Sequence, residues 1–190
     1  MSYPENSLDQ AQTANNELSV LQSKMAWRVI LTFVVLTVGA IIVGAGKLLN
    51  LLFPAAALGV GLFLYFRAPI LYNGFTWWIW LLTAFIRRMA DFRSGFTEPS
   101  PLLLAPFLVT GVSLITVSKN LLNARQIKGL PFILAMLGTL YGYLVGLINL
   151  PSAFTVTREF LDWLPPIAFG FHLLANWQNF PSYYQNTQRV

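Results

Sequence analysis

Apolar residues in this chain gather into six blocks of 15 to 21 residues, separated by short polar stretches. The blocks run from about Trp27 to Val43, Leu51 to Phe66, Ile70 to Ile86, Leu102 to Val117, Leu130 to Leu150 and Trp163 to Trp177. They show no amphipathic striping. Uninterrupted apolar runs of roughly 17–25 residues match the hydrocarbon thickness of a bilayer, and inside lipid each segment must satisfy its own backbone groups, which favours helices. The pattern therefore predicts an all-α protein, a polytopic transmembrane helical bundle with about six membrane segments. Residues 1–26 form a polar cytoplasmic tail, 27–178 the membrane domain and 179–190 a second polar tail.

Several boundaries carry their own signals. Gly44, Gly46, Lys47 and Asn50 make a polar turn after the first block, and Arg67-Ala68-Pro69 stops the second. The third block holds Trp77, Trp78 and Trp80, and is open to two readings: a short crossing, or a helix lying flat in the interface, where tryptophans concentrate. Glu98-Pro99-Ser100-Pro101 cannot continue a helix. Gly138, Gly142 and Gly146 in the fifth block share one helix face, a spacing that lets a neighbouring helix approach closely. Pro165 and Pro166 are read as the first turn of the sixth helix. The first 26 residues contain Glu5, Asp9 and Glu17, with Lys24 as their one cation. They are read as a disordered or loosely helical tail, because a secretory signal begins with basic residues running into a short apolar core.

Composition agrees with a membrane class. Only 10% of residues are charged and mean hydropathy is +0.60, whereas soluble domains are about a quarter charged. The net charge of +5 does not indicate a nucleic-acid partner, because the cations sit between apolar blocks as orienting charges do. Their count does not orient the chain. With six crossings and the N-terminus inside, the division is seven inside against five outside, and it is seven against five again if the tryptophan block lies flat. No cysteine is present, so disulfides and thiolate metal sites are excluded, and nothing in the sequence calls for a metal or another cofactor.

Three groups could carry chemistry. Arg87, Arg88, Asp91 and Arg93 follow the tryptophan block; on a helix Arg88 can pair with Asp91 three residues on, leaving Arg87 free. Arginine suits bidentate contact with phosphate, which at a membrane surface means a lipid headgroup or a lipid-linked diphosphate; the ordinary reading is an orienting cluster. Arg158, Glu159 and Asp162 precede the sixth block, where a carboxylate beside a cavity could act as a base; the ordinary reading is a loop helix with Arg158 paired to Asp162. His172 is the one histidine. An intramembrane ionisable group is a functional candidate by default, but a lone histidine makes no metal site, and a neutral ring hydrogen-bonded within the bundle is the simpler reading. Gly39, Gly44, Gly46 and Lys47 faintly echo a phosphate loop, yet Leu48 stands where Ser or Thr is required.

Some of these runs resemble a known family. Phe63-Leu64-Tyr65-Phe66-Arg67-Ala68-Pro69, Gly74-Phe75-Thr76-Trp77-Trp78-Ile79-Trp80-Leu81-Leu82-Thr83, Arg87-Arg88 and Asp91-Phe92-Arg93-Ser94-Gly95 are similar to the start of bacterial O-antigen polymerase and ligase-like membrane proteins. Tyr141-Gly142-Tyr143-Leu144-Val145-Gly146, Phe169-Gly170-Phe171-His172-Leu173 and Asn176-Trp177 extend the resemblance. It covers about Arg67 to Trp177. It implies a multi-pass protein of the bacterial inner membrane that transfers or polymerises glycans carried on undecaprenyl diphosphate. It further implies that Arg87, Arg88 and Arg93 meet that diphosphate at the periplasmic face. Such proteins usually have ten or more spans and place catalysis on a large later loop, which is not found in this sequence. The chain is then expected to be an N-terminal half that works with a C-terminal half or a partner membrane subunit. The alternative reading is a small non-enzymatic membrane subunit packing against a larger partner. A transporter is the weakest reading, since few charges lie within the blocks and no matching pair of broken helices is seen.

Overall fold

The computed structural model of the chain describes residues 5–95 and 100–180, with side chains from residue 23 onward except those of Arg93 and Ser94. Every element among the described residues is helical. Helix α1 spans Glu5–Val43, α2 Gly46–Arg67 and α3 Pro69–Ser94. A 3₁₀ turn at Pro101–Leu104 leads into α4, Ala105–Gly111, and α5, Leu114–Asn120. Helices α6, Leu130–Asn149, and α7, Ala153–Asn176, follow, and a 3₁₀ turn at Trp177–Asn179 ends the described fold. The polar segment before residue 27 continues the same helix as the first apolar block from Glu5 onward. The C-terminal polar segment, apart from Asn179 and Phe180, and Glu98-Pro99 lie outside the described residues.

Four segments are long and apolar enough to cross a membrane: Ser23–Val43, Gly46–Arg67, Pro101–Asn120 and Leu130–Asn149. The chain is a membrane protein on that ground. Helices α3 and α7 are long enough but carry charges within their length, Arg87, Arg88 and Asp91 on one and Arg158, Glu159 and Asp162 on the other.

Turn chemistry makes the hairpins. Gly44 has φ +79°, which a glycine adopts without a Cβ clash. Around it Ala45 N–H donates to Ala40 O at 2.9 Å and Gly44 N–H to Ile41 O at 3.1 Å, the paired bonds of a Schellman cap. The glycines and Lys47 that echo a phosphate loop therefore terminate α1 and turn it into α2. Pro69 opens α3 one residue after α2 stops, where its missing N–H costs nothing. Ser152 caps α7 by accepting from Thr155 N–H at 3.4 Å.

Packing fixes the direction of each helix. Calling the α1–α2 turn the lower end, α2 rises and α3 leaves its upper end. Ser100 donates to Asn50 Oδ1 at 2.9 Å, so the chain after α3 is back near the start of α2. The α4–α5 segment then rises beside α2: a Cβ on Gly61 would meet Val109 at 3.3 Å, and Tyr65 reaches Thr116. Helix α6 descends and α7 rises along it. Phe171 packs on Gly129 and Phe132 on Gly170 at the upper end; the Tyr143 and Phe160 rings are 4.6 Å apart, and Val156 fills the space at Gly146 near the lower end.

Two sequence expectations change here. Pro165 and Pro166 lie inside α7, twelve residues past Ala153, rather than in its first turn. A Ser152 cap and the contact of Val156 with Gly146 start the helix earlier, and the freed carbonyls are the local consequence. Of the three glycines on α6, only Gly146 receives a close neighbour; a Cβ on Gly138 or Gly142 would meet nothing within 4 Å.

Candidate functional site

The arginines of the first candidate group stand on the last turns of α3, at the lower end of the bundle. Arg87, not Arg88, pairs with Asp91, with Nε 3.6 Å from Oδ2. The i,i+4 spacing wins because residues 87 and 91 lie nearly above one another on a 3.6-residue helix, and both face partly inward while Arg88 is exposed. Arg88 has no ion-pair or hydrogen-bond partner among the described residues. The backbone of α3 includes Arg93, whose side chain lies outside the described set.

Arg158, Glu159 and Asp162 sit within α7 rather than in a loop before it. Arg158 and Glu159 are exposed and Asp162 is half-buried. The expected Arg158–Asp162 pair does not close: among the described residues the only ion pair is Arg87–Asp91. His172 lies fourteen residues beyond Arg158 and ten beyond Asp162 on the same helix, about 21 Å and 15 Å away along its axis at 1.5 Å per residue. These three residues therefore make no common site, and His172 is equally remote from the lower end of α3.

His172 instead belongs to a buried polar network at the upper end. The residue is 2% exposed. Nδ1 lies 2.6 Å from Thr116 Oγ1, which lies 2.8 Å from Tyr65 OH. Asn176 Nδ2 donates to His172 O at 2.9 Å and lies 3.3 Å from Nδ1. The amide orientation follows from that carbonyl contact, so Nδ1 faces an N–H donor and must be the accepting nitrogen. Thr116 then donates to His172, Tyr65 donates to Thr116, and the ring proton resides on Nε2. Nε2 is buried with no hydrogen-bond partner among the described residues, and the ring centroid of His172 lies 5.5 and 5.4 Å from those of Tyr65 and Tyr72 and 6.2 Å from that of Phe169. The simpler sequence reading, a histidine hydrogen-bonded within the bundle, describes this geometry.

Beside it, α3 clamps the junction between α4 and α5. There the backbone makes i to i+3 bonds, Val112 N–H to Val109 O and Ser113 N–H to Thr110 O, a 3₁₀ stretch within the segment. Tyr72 OH donates to Val109 O at 2.9 Å and Trp80 Nε1 donates to Thr110 Oγ1 at 2.8 Å. Trp80 thus serves an inter-helix bond, while Trp77 and Trp78 are half-exposed. Sequence reasoning passed over Tyr65, Tyr72, Thr110 and Thr116. Their signal was present as hydroxyl groups recurring inside apolar blocks, where each needs a partner.

No carboxylates, histidines or cysteines gather in threes among the described residues. An apolar cleft of about 360 Å³ lies between α2, α4 and α7, lined by Leu58, Leu62, Phe107, Leu108, Leu161 and Leu164 among others. Comparison of the chain with protein-family models, characterised proteins and solved structures finds no match in any of the three.

Proposed function

We propose that this bundle crosses the bacterial inner membrane six times and forms the amino-terminal membrane part of a cell-surface polysaccharide polymerase or ligase-like protein. In this reading it handles glycans carried on undecaprenyl diphosphate. Six crossings are supported by direction: α3 runs back from the upper end of α2 to the level of Asn50, and α7 runs the length of α6. If α2 and α6 cross, helices antiparallel to them over the same height cross too.

The observation that carries the chemistry is Arg88, exposed at the lower end of α3 and without a partner among the described residues. It would grip the diphosphate bidentately, with Arg93 five residues further on and Arg87 held by Asp91. Cations placed there stabilise negative charge as the saccharide leaves the lipid diphosphate. No nucleophile or base is assigned, and Arg158, Asp162 and His172 take no part in this site.

Two measurements test the reading. The chain has no cysteine, so a Ser94→Cys variant reports its own side. In cells with a permeabilised outer membrane and a sealed inner one, an impermeant maleimide is expected to label it from outside; labelling only after lysis would put the arginines in the cytoplasm. Arg88→Ala is expected to weaken binding of the lipid diphosphate about tenfold or more, one charge-assisted contact being worth about 1.5–3 kcal/mol. Unchanged binding in the complete protein removes Arg88 from the site.

A second reading, a non-enzymatic subunit packing on a larger membrane partner, is favoured by α6. It has no buried residue, packs chiefly on α7, and leaves Gly138 and Gly142 open.

A further inference from the structure

The charges of α7 lie too deep for the surface they occupy. Val156 packs on Gly146 and Phe160 on Tyr143, so α7 can be measured against α6, a span of 20 residues ending at Asn149. Tyr143 lies about 9 Å inside that end at 1.5 Å per residue, and Asp162, two residues beyond Phe160, about 12 Å inside. Half the hydrocarbon thickness is about 15 Å. Arg158, two residues before Phe160 and so about 6 Å inside, is long enough to extend its head to the interface. Aspartate is too short to do so.

Asp162 nevertheless has no hydrogen bond or ion pair among the described residues and keeps part of its surface open. Charges at such depth face protein or a water-filled cavity and are paired. A second observation points the same way. Pro165 and Pro166 have no amide hydrogen, so the carbonyls of Leu161 and Asp162 lose their helical donors. In membrane helices such freed groups are satisfied by neighbours. The groups concerned are acceptors: one carboxylate and two carbonyls deprived of their i+4 donors, in a stretch whose Arg158, Glu159 and Asp162 sum to one negative charge. On the side nearer Asp162 the helix borders the apolar cleft through Leu161 and Pro165, where an incoming apolar side chain has room.

We infer that this face of α7 docks a transmembrane helix from outside the bundle, one that brings a lysine or arginine to Asp162 and an apolar side chain to the cleft. The inference rests on α6 crossing the membrane and not on the polysaccharide reading, so failure of the diphosphate test at Arg88 leaves it standing.

The test is a photo-cross-linking amino acid at Leu161 of the full chain in living cells, with one at Leu36 on the exposed face of α1 as reference. Leu161 is expected to give an adduct with a membrane polypeptide whose cross-linked helix carries Lys or Arg at the matching depth. Asp162→Lys should abolish that adduct, and reversing the partner's cation to aspartate should restore it. Asp162→Asn, nearly equal in volume, serves as the control for insertion and folding and should give an intermediate yield. A phospholipid adduct at Leu161, an adduct with a second copy of this chain, or no adduct while Leu36 reacts each overturns the proposal. So does a polypeptide adduct that survives Asp162→Lys unchanged.

Discussion

Replacing Tyr72 with alanine is expected to destabilise the bundle by about 3–5 kcal/mol, the range for removing a large buried aromatic. Tyr72 is fully buried. Its ring stands edge-on to Tyr65 at 5.5 Å and to Phe169 at 6.1 Å, and its hydroxyl holds Val109 O at the junction of α4 and α5. Protein interiors recover little of such a hole, because the neighbours cannot collapse without leaving their own contacts. Tyr72→Phe separates the two contributions: it keeps the ring and loses one hydrogen bond, a cost of about 1 kcal/mol. Thermal unfolding of purified protein in detergent, followed by loss of the monodisperse species, measures both. Equal effects of the two variants would mean that the hydroxyl, and not the ring, secures the junction.

Thr116→Val is the second large effect, about 2 kcal/mol. Valine nearly matches threonine in shape, so little packing changes. What disappears is the hydroxyl that both accepts from Tyr65 and donates to His172. His172 Nδ1 keeps only the longer contact with Asn176 at 3.3 Å, and leaving a buried group short of its partner costs about 1–3 kcal/mol. Hydrogen bonds between membrane helices average nearer 0.6 kcal/mol, but Thr116 and His172 are buried in protein rather than facing lipid. Thr116→Ser keeps the hydroxyl and should recover most of the stability. A valine variant as stable as the serine variant would show that the network carries no net stabilisation.

The arginine cluster shows how far local rules reach. That Arg87, Arg88 and Asp91 would share a helix end was legible, since Glu98-Pro99-Ser100-Pro101 cannot continue a helix that the tryptophan block begins. Which arginine would pair was not: both the three- and four-residue spacings are allowed, and only the half-buried position of Arg87 and Asp91 decides between them. Helix α7 was misjudged for a related reason. A Pro-Pro pair favours a helix start, and three charges favour a loop, so both signals placed the boundary near Trp163. Contacts with Gly146 and Tyr143 extend the helix ten residues further back, and no local rule contains them.

By itself the sequence determined that this is a helical membrane protein, where most of its apolar segments lie and which residues turn the chain. Those properties depend on hydropathy and on backbone chemistry at single positions, such as Gly44 and Pro69. Only the tertiary structure decided how the hydroxyls pair, that His172 stands far from Arg158 and Asp162, and that Asp162 is held at the depth of α6's interior. Each of these depends on which helix lies beside which and at what height. A pattern of apolar residues marks a segment as suited to lipid, but it is equally satisfied by many arrangements of neighbours. The selection among them comes from close packing at Gly61, Gly129, Gly146 and Gly170 and from the requirement that polar groups buried together find one another.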